Sequence, residues 1–194
     1  VSAYSWAFNF RTSSLNVETK NLKYVLNRIL PESIHIISCT DVADDFDARY
    51  HAKEKTYSYK INMLEANPID DEFAWCPVFK AKIHLMREAC DCFIGKHDFS
   101  SFCFPQEKGK DCTRIIDRAD TVFDGKYLII RISAKSFMRH QVRYIVGAIY
   151  QVGLGRLSIN QIIDALAGVR SLPHKYKAPA KGLILESTTY LKEE

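Results

Sequence analysis

The 194-residue sequence lacks the signatures of several common enzyme classes. It has no GxGxxG or P-loop run for a nucleotide, no HExxH zinc motif and no GxSxG nucleophile elbow. No apolar run approaches the roughly 18 residues of a membrane span, and none has the pattern of a secretory signal peptide. The six cysteines are spaced neither as paired CxxC zinc ligands nor as a dense disulfide scaffold. We therefore expect no metal, no cofactor and no membrane partner, and a cytoplasmic protein with reduced thiols.

Charge is present but unevenly distributed. Residues 135–181 contain eight lysines and arginines and one acidic residue, Asp164, which is a net charge of +7. Because the whole chain carries +4, the remainder carries −3. A basic segment on a near-neutral body is typical of a protein that binds a polyanion. The alternative for this basic segment is a solvated lysine-rich surface. Elsewhere, the acidic run of residues 70–72 is predicted to be a solvated loop.

Hydrophobic periodicity predicts an α+β fold, with a mostly antiparallel sheet and helices on one face. Asp124-Gly125, between two β-rich runs, indicates a hairpin from Ile115 to Ser133. The other predicted strands are residues 3–10, 34–39, 57–63 and 183–190, and the predicted helices are residues 22–30, 83–93 and 158–167.

The run KSFMRHQVRYIVG, residues 135–147, is predicted to be one helix with an unusual stripe. Arg139, Arg143 and Gly147 would follow one another at four-residue spacing, beside Ser136 and His140. Like charges at this spacing repel, and glycine weakens a helix. The two arginines become favourable if they face anions, and the glycine becomes favourable if it lets another backbone come close. A surface helix with two extended arginines is the alternative.

Two tyrosines on a predicted strand form a second candidate site. Tyr57 and Tyr59 are bracketed by Lys53, Lys55 and Lys60. Aromatic rings interleaved with cations can stack on nucleic-acid bases while phosphates are held nearby. Tyrosines that simply fill the core are the alternative.

Six segments, in the correct order and spacing, resemble those of the TruA family of tRNA pseudouridine synthases. They cover nearly the whole chain and match the family patterns LNxxLPxI, DDFxAR…YxY, FxGxHDFxSF, VRxI, FxxxxVRxIVG and APxxGLxL. Here they read VLNRILPESI (25–34), DDFDARYHAKEKTYSYKI (44–61), FIGKHDFSSF (93–102), TRII (113–116), SFMRHQVRYIVG (136–147) and APAKGLIL (178–185).

This resemblance implies the fold and the reaction. The fold would be the α+β pseudouridine synthase fold, with two related subdomains around a central sheet and an RNA-binding cleft. We expect one catalytic domain over residues 1–194, truncated at its amino end, with subdomains of about 1–80 and 81–194. The reaction would convert a tRNA uridine, most often in the anticodon stem-loop, into pseudouridine without a cofactor. Members are typically homodimers.

The resemblance also assigns roles to individual residues. Arg143 and Tyr57 are implied as catalytic: the arginine pairs with the catalytic aspartate, and the tyrosine ring stacks on the flipped base. Leu183 is implied as the apolar wall of the base pocket. The residues implied to hold RNA are Arg49, Arg139, His140, Lys175, Lys177 and Lys181.

One element of the family is missing from this sequence. In the family the nucleophilic aspartate lies in a GRTDxGV[HS]A motif. Val1-Ser2-Ala3 resembles the end of this motif, so the aspartate would fall three positions before Val1. The first residue is not methionine, and we expect this chain to be an inactive fragment of an active enzyme. Ser5-Trp6, where the family usually has Gly-Gln, is a smaller departure. The alternatives are a non-catalytic RNA-binding module on the same fold and a purely structural protein.

Overall fold

The computed structural model describes residues 2–12, 16–69, 71–104, 111–174 and 176–190. Within these ranges the chain forms seven strands and four helices. In chain order they are β1 (Ser2–Ala3), α1 (Thr19–Ile29), β2 (Glu54–Asn62), α2 (Ile83–Asp91), β3 (Gly95–Asp98), β4 (Thr113–Ile116), β5 (Arg118–Phe123), β6 (Tyr127–Ala134), α3 (Gln141–Gly153), α4 (Ile159–Leu166) and β7 (Leu183–Thr189).

The chain divides into two compact units, residues 7–51 and residues 1–6 with 52–194. The larger unit contains a five-stranded sheet in the order β1-β7-β2-β6-β5 and a two-stranded sheet of β3 and β4. Every pairing is antiparallel except that of β1 with β7, which is parallel. The predicted α+β class with a mostly antiparallel sheet is confirmed. The predicted subdomains 1–80 and 81–194 stay a prediction.

The predicted hairpin is confirmed around its turn. Gly125 has a φ of 96°, which glycine adopts without strain. The Asp124 carboxylate accepts hydrogen bonds from the backbone N–H groups of Lys126 and Tyr127 at 3.0 and 2.7 Å, and these bonds lower the pKa of Asp124. The hairpin comprises β5 and β6. The residues before it, β4, pair with β3 in the smaller sheet.

One face of the large sheet holds the core. Tyr59, Ile130 and Ile132 project from it, and Ile145 and Ile149 of α3 are equally inaccessible to solvent. Burying each of these side chains contributes roughly 1.5–3 kcal/mol. Almost every residue of α3 is buried, so this helix lies inside the unit, and its packing contacts hold it in place. None of the helices in the described ranges is long and apolar enough to cross a membrane.

The unit of residues 7–51 contains α1 and irregular chain. Both hydrogen-bonding groups of the Asn27 side chain engage the backbone of Ile36, with the Ile36 N–H donating at 2.7 Å and its carbonyl accepting at 3.0 Å. The predicted strand 34–39 is wrong, because a side chain takes the place of a partner strand there. The predicted strand 3–10 is wrong beyond Ala3, since no described strand pairs with residues 7–10.

The predicted helix over residues 135–147 is also wrong in its first part. The helix begins at Gln141, directly after His140, which has a φ of 62°. A left-handed residue cannot continue an α-helix, and it turns the chain from the end of β6 into α3. Arg139 therefore lies outside the helix, and the repulsion expected between Arg139 and Arg143 on one helical stripe does not arise.

Candidate active site

Arg143 is held by backbone from the segment that connects α4 to β7. Its Nε–H donates to the carbonyl of Ala178 at 2.7 Å, and the Ala178 N–H donates to the carbonyl of Arg143 at 3.0 Å. One turn along α3, a methyl group on Gly147 would lie 2.0 Å from the carbonyl oxygen of Tyr176. The expectation that Gly147 admits a neighbouring backbone is confirmed. The guanidinium is consequently fixed in orientation, because its Nε is already bonded.

The segment of residues 176–182, the site loop, is anchored at its other end by β2. The Tyr59 hydroxyl donates to the carbonyl of Pro179 at 2.7 Å. The Lys60 N–H donates to the carbonyl of Gly182 at 2.9 Å, and a methyl group on Gly182 would lie 2.6 Å from the Lys60 carbonyl oxygen. The site loop is thus tied to α3 on one side and to the sheet on the other.

Tyr57 and Leu183 project from the same face of the sheet. Tyr59 is opposite Leu183 across β2 and β7, and Tyr57 is opposite Leu185, so alternation along each strand puts all four on one face. Tyr57 is half-buried and meets the ring of Phe137 edge-on, with centroids 5.2 Å apart. Burial raises the pKa of Tyr57, so its phenol stays neutral.

Basic side chains converge where the turn before α3 meets the site loop. The Arg139 guanidinium lies 4.5 Å from the ring centroid of Phe104, and the His140 ring lies 5.5 Å from it. Burial lowers the pKa of His140, and the positive charges of Arg143, Lys177 and Arg139 lower it further. The structure therefore brings four of the predicted site residues into one electrostatic neighbourhood.

Three predicted site residues are not part of this neighbourhood as the structure describes it. Lys181 is exposed on the site loop, and its charge partly opposes the rise in the pKa of Cys76 that burial causes. Arg49 belongs to the unit of residues 7–51, where it is exposed and its guanidinium lies 5.4 Å from the ring centroid of Tyr50. Lys175 lies outside the described residues.

Sequence reasoning assigned no role in this site to Phe137 or Phe104, and it named Tyr59 as a stacking ring rather than as an anchor of the site loop. Tyr59 anchors the site loop, Phe137 packs against Tyr57, and Phe104 lies against Arg139 and His140. The alternation of Tyr57 and Tyr59 placed Tyr59 on the correct face of the strand. No local sequence pattern predicts a role for Phe104, because only the tertiary structure brings it against Arg139 and His140.

No acid partner for Arg143 was found in the part of the chain that the structure describes. Among the same residues, no group of three or more His, Cys, Asp or Glu side chains could hold a metal ion. A cavity of about 290 Å³ lies on the opposite face of the sheet, lined by Glu54, Thr56, Arg118, Arg131, Ser133 and Glu186. Those arginines face Asp120 and Glu186, so the cavity is separate from the predicted site.

Comparison with known proteins shows which family the chain belongs to. The family described as tRNA pseudouridine synthase matches residues 89–190. The tRNA pseudouridine synthase A 2 of Bacillus anthracis is 35% identical over 98% of this chain and 78% of its own length. The tRNA pseudouridine synthase A of Clostridium kluyveri is 32% identical over the same shares. These matches include α3, the site loop and β7, and the chain belongs to the TruA family of tRNA pseudouridine synthases.

Proposed function

We propose that Arg143, the site loop and Tyr57 form the active site at which a tRNA uridine is isomerised to pseudouridine. In this reaction the bond between N1 and C1′ breaks, the base turns, and a bond between C5 and C1′ forms. C5 loses its proton and N1 gains one, so the atoms balance without a cofactor. The chemistry needs a carboxylate to attack or deprotonate, a cation to keep that carboxylate ionised, and a pocket for the flipped base.

The observation that carries the proposal is the position of β1 relative to Arg143. Ser2 and Ala3 run parallel to Ile184 and Leu185, so the amino end of β1 lies beside the start of β7. The site loop ends there, and it is bonded to Arg143 through Ala178. An aspartate in the motif whose tail resembles Val1-Ser2-Ala3 would therefore lie within reach of the guanidinium.

Arg143 is suited to this partnership. Its Nε–H is bonded to Ala178, which leaves the two terminal nitrogens of the guanidinium for the two oxygens of a carboxylate. A fixed positive charge beside a partly buried carboxylate lowers its pKa and keeps it ionised. The 194 residues contain no match to the GRTD part of the family motif, so the carboxylate in this proposal comes from outside the printed sequence.

Tyr57 and Leu183 would hold the flipped uracil. A half-buried ring whose edge contact with Phe137 fixes its orientation offers a face for stacking. Leu183 is 6% exposed and would form the apolar wall. Stacking and phosphate contacts would offset the few kcal/mol that taking a base out of the helix costs.

The basic neighbourhood would hold the RNA backbone of a tRNA, with the anticodon stem-loop as the expected target. Arg139, His140 and Lys177 are grouped by the turn before α3, and Lys181 extends this group along the site loop. Lys175 and Arg49 complete the set by resemblance. We also propose that the protein is a homodimer, which light scattering of the purified protein would test, and that it is cytoplasmic, which cell fractionation would test.

The test compares two polypeptides. One is the 194-residue chain, and the other is the full-length enzyme, by which we mean this chain preceded by the aspartate-bearing segment of its own gene. With tRNA that carries tritium at uridine C5, the full-length enzyme is expected to release tritium, and the 194-residue chain is expected to release none. Release by the short chain would contradict the proposed source of the carboxylate.

A titration of the full-length protein against tRNA at several salt concentrations separates the alternatives. Salt-sensitive tRNA binding by the full-length protein without tritium release would identify a non-catalytic RNA-binding module. A purely structural protein would show no salt-sensitive affinity for tRNA at all.

A further inference from the structure

Tyr59 is a buried tyrosine to which the proposed reaction assigns no role. It is fully inaccessible to solvent at the middle of β2, and its hydroxyl donates to the carbonyl of Pro179, 120 residues away in sequence, at 2.7 Å. A methyl group on Gly182 would lie 2.8 Å from Cε1 of the Tyr59 ring, and Trp75 meets the ring edge-on with centroids 6.2 Å apart. The ring is therefore enclosed and its hydroxyl is aimed at the site loop.

The hydroxyl of Tyr59 and the guanidinium of Arg143 hold two consecutive carbonyl groups. Arg143 Nε donates to the carbonyl of Ala178, and Tyr59 donates to that of Pro179. The proline ring fixes φ, one of the two soft dihedrals between these two carbonyls, so their relative orientation is restricted. Displacement of the Pro179 carbonyl would consequently move the Ala178 carbonyl that orients Arg143.

We propose that Tyr59 is a positioning residue for the isomerisation, acting through Pro179 and Ala178 to fix the direction of the Arg143 guanidinium. This role rests on the proposed function, in which Arg143 neutralises the catalytic carboxylate. Burial raises the pKa of Tyr59 strongly, and the positive charge of Arg143 opposes part of that rise. The hydroxyl consequently keeps its proton and remains a donor throughout the pH range of an activity assay.

The test is Tyr59→Phe in the full-length enzyme, which removes one oxygen atom and keeps the ring. We expect kcat to fall about 10-fold or more, because a small misplacement of a catalytic group is costly. KM for tRNA should stay within about two-fold, since the cations that would hold the RNA backbone are unchanged. The acid limb of the kcat–pH profile should move to higher pH, because a loosely held arginine lowers the pKa of the carboxylate less.

Tyr150→Phe is the matched control. Tyr150 lies on α3, is 4% exposed, and donates to the carbonyl of Phe79 at 2.5 Å, so this variant loses the same kind of buried bond away from the site loop. We expect it to lower the melting temperature to a similar extent while kcat and the acid limb stay at wild-type values. If both variants are destabilised alike and Tyr59→Phe keeps the wild-type kcat and pH profile, the positioning role is wrong.

Pro179→Ala is a second variant that does not depend on a buried ring. Pro179 is exposed, and alanine keeps the carbonyl but frees φ. We expect a smaller fall in kcat than in Tyr59→Phe, with the acid limb moving in the same direction. If the wild-type enzyme releases tritium and both variants keep its kcat and pH profile, only the role of Tyr59 is wrong. If the wild-type enzyme releases no tritium, the proposed function itself is wrong.

Discussion

Gly147 of α3 lies directly against the carbonyl oxygen of Tyr176, which a methyl group at position 147 would approach to 2.0 Å. Alanine should stabilise an isolated helix by about 1 kcal/mol relative to glycine. At this position the methyl group would meet backbone, which cannot rotate away as a side chain can. The close approach explains why this buried helix contains a glycine, and it joins α3 directly to the loop that holds Arg143.

We predict that Gly147→Ala lowers both stability and activity. Displacing the site loop should cost about 1–3 kcal/mol in the free energy of unfolding, as overpacking does elsewhere, and kcat should fall roughly 10-fold or more because Arg143 loses its fixed partner. Urea denaturation and tritium release from labelled tRNA would measure the two effects.

Gly153→Ala is the control on the same helix. A methyl group there would approach the side chains of Met86 and Ala81, at 2.6 and 2.8 Å, and not the site loop. We expect Gly153→Ala to lower the free energy of unfolding and to leave kcat unchanged. Wild-type turnover in Gly147→Ala would show that the contact between α3 and the site loop has no role in catalysis.

The elements that sequence reasoning located correctly are those whose pattern is local. The helices over residues 83–91 and 159–166 have apolar faces of regular period, and the turn at Asp124-Gly125 has a local chemical cause. Residues 34–39 have the composition of a strand, but a strand forms only beside a partner, and Asn27 bonds that backbone instead.

Local patterns also failed where tertiary contacts decide the environment of a residue. His140 adopts a left-handed conformation that no rule of helical periodicity predicts, so α3 begins later than expected. Asp71 was predicted to lie in a solvated loop with Asp70 and Glu72, yet it is 1% exposed, and Asp70 lies outside the described residues. Arg143 was located through a motif resemblance, but its bond to Ala178 depends on a residue 35 positions away.

Substitution of Arg143 should separate catalysis from RNA binding. We predict that Arg143→Ala in the full-length enzyme lowers kcat by about 100-fold or more, the scale for losing a preorganised electrostatic group, while the Kd for tRNA rises only a few-fold. Arg143→Lys should not restore activity, because an ammonium lacks the planar fork that can bond Ala178 through Nε while its two terminal nitrogens face both oxygens of a carboxylate.

Arg131→Lys supplies the control for Arg143. Arg131 is a partly buried arginine of the same unit, paired with Glu186 at 3.2 Å on the opposite face of the sheet. Wild-type turnover is expected in this variant. An Arg143→Ala enzyme that isomerises uridine at the wild-type rate would remove the arginine from the mechanism.

The ring of Tyr57 should matter more than its hydroxyl for holding the base. We predict that Tyr57→Ala weakens tRNA binding by about 1–3 kcal/mol, the range for a lost base–aromatic stack, and lowers turnover. Tyr57→Phe keeps the ring and its edge contact with Phe137, and should bind tRNA within about two-fold of the wild type. Filter binding at fixed salt would give both affinities, and an alanine variant that binds and turns over normally would contradict stacking.

The buried carboxylate of Asp71 should make the stability of the fold depend on pH. Burial alone would raise the pKa of Asp71, but hydrogen bonds outweigh it and hold the pKa well below its ordinary value. The three donors with the largest effect are the Asn67 N–H at 2.6 Å, the Tyr127 hydroxyl at 2.7 Å and the Asn62 amide at 2.7 Å. They tie the chain after β2 to the start of β6, and Lys126 lies 3.7 Å from the carboxylate.

We predict that Asp71→Asn lowers the free energy of unfolding at pH 7 by about 1.5–3 kcal/mol, the range for hydrogen bonds to a charged group. A depressed pKa stabilises the fold above the unfolded value of about 3.9, and that stability is lost as the pH falls through the lower folded value. The wild-type stability should therefore fall more steeply than that of the variant below about pH 4, and the two should converge. Glu72→Gln, at the exposed neighbouring residue, should keep the wild-type slope. Parallel curves for wild type and Asp71→Asn in urea titrations between pH 3 and pH 7 would show that this carboxylate is not coupled to folding.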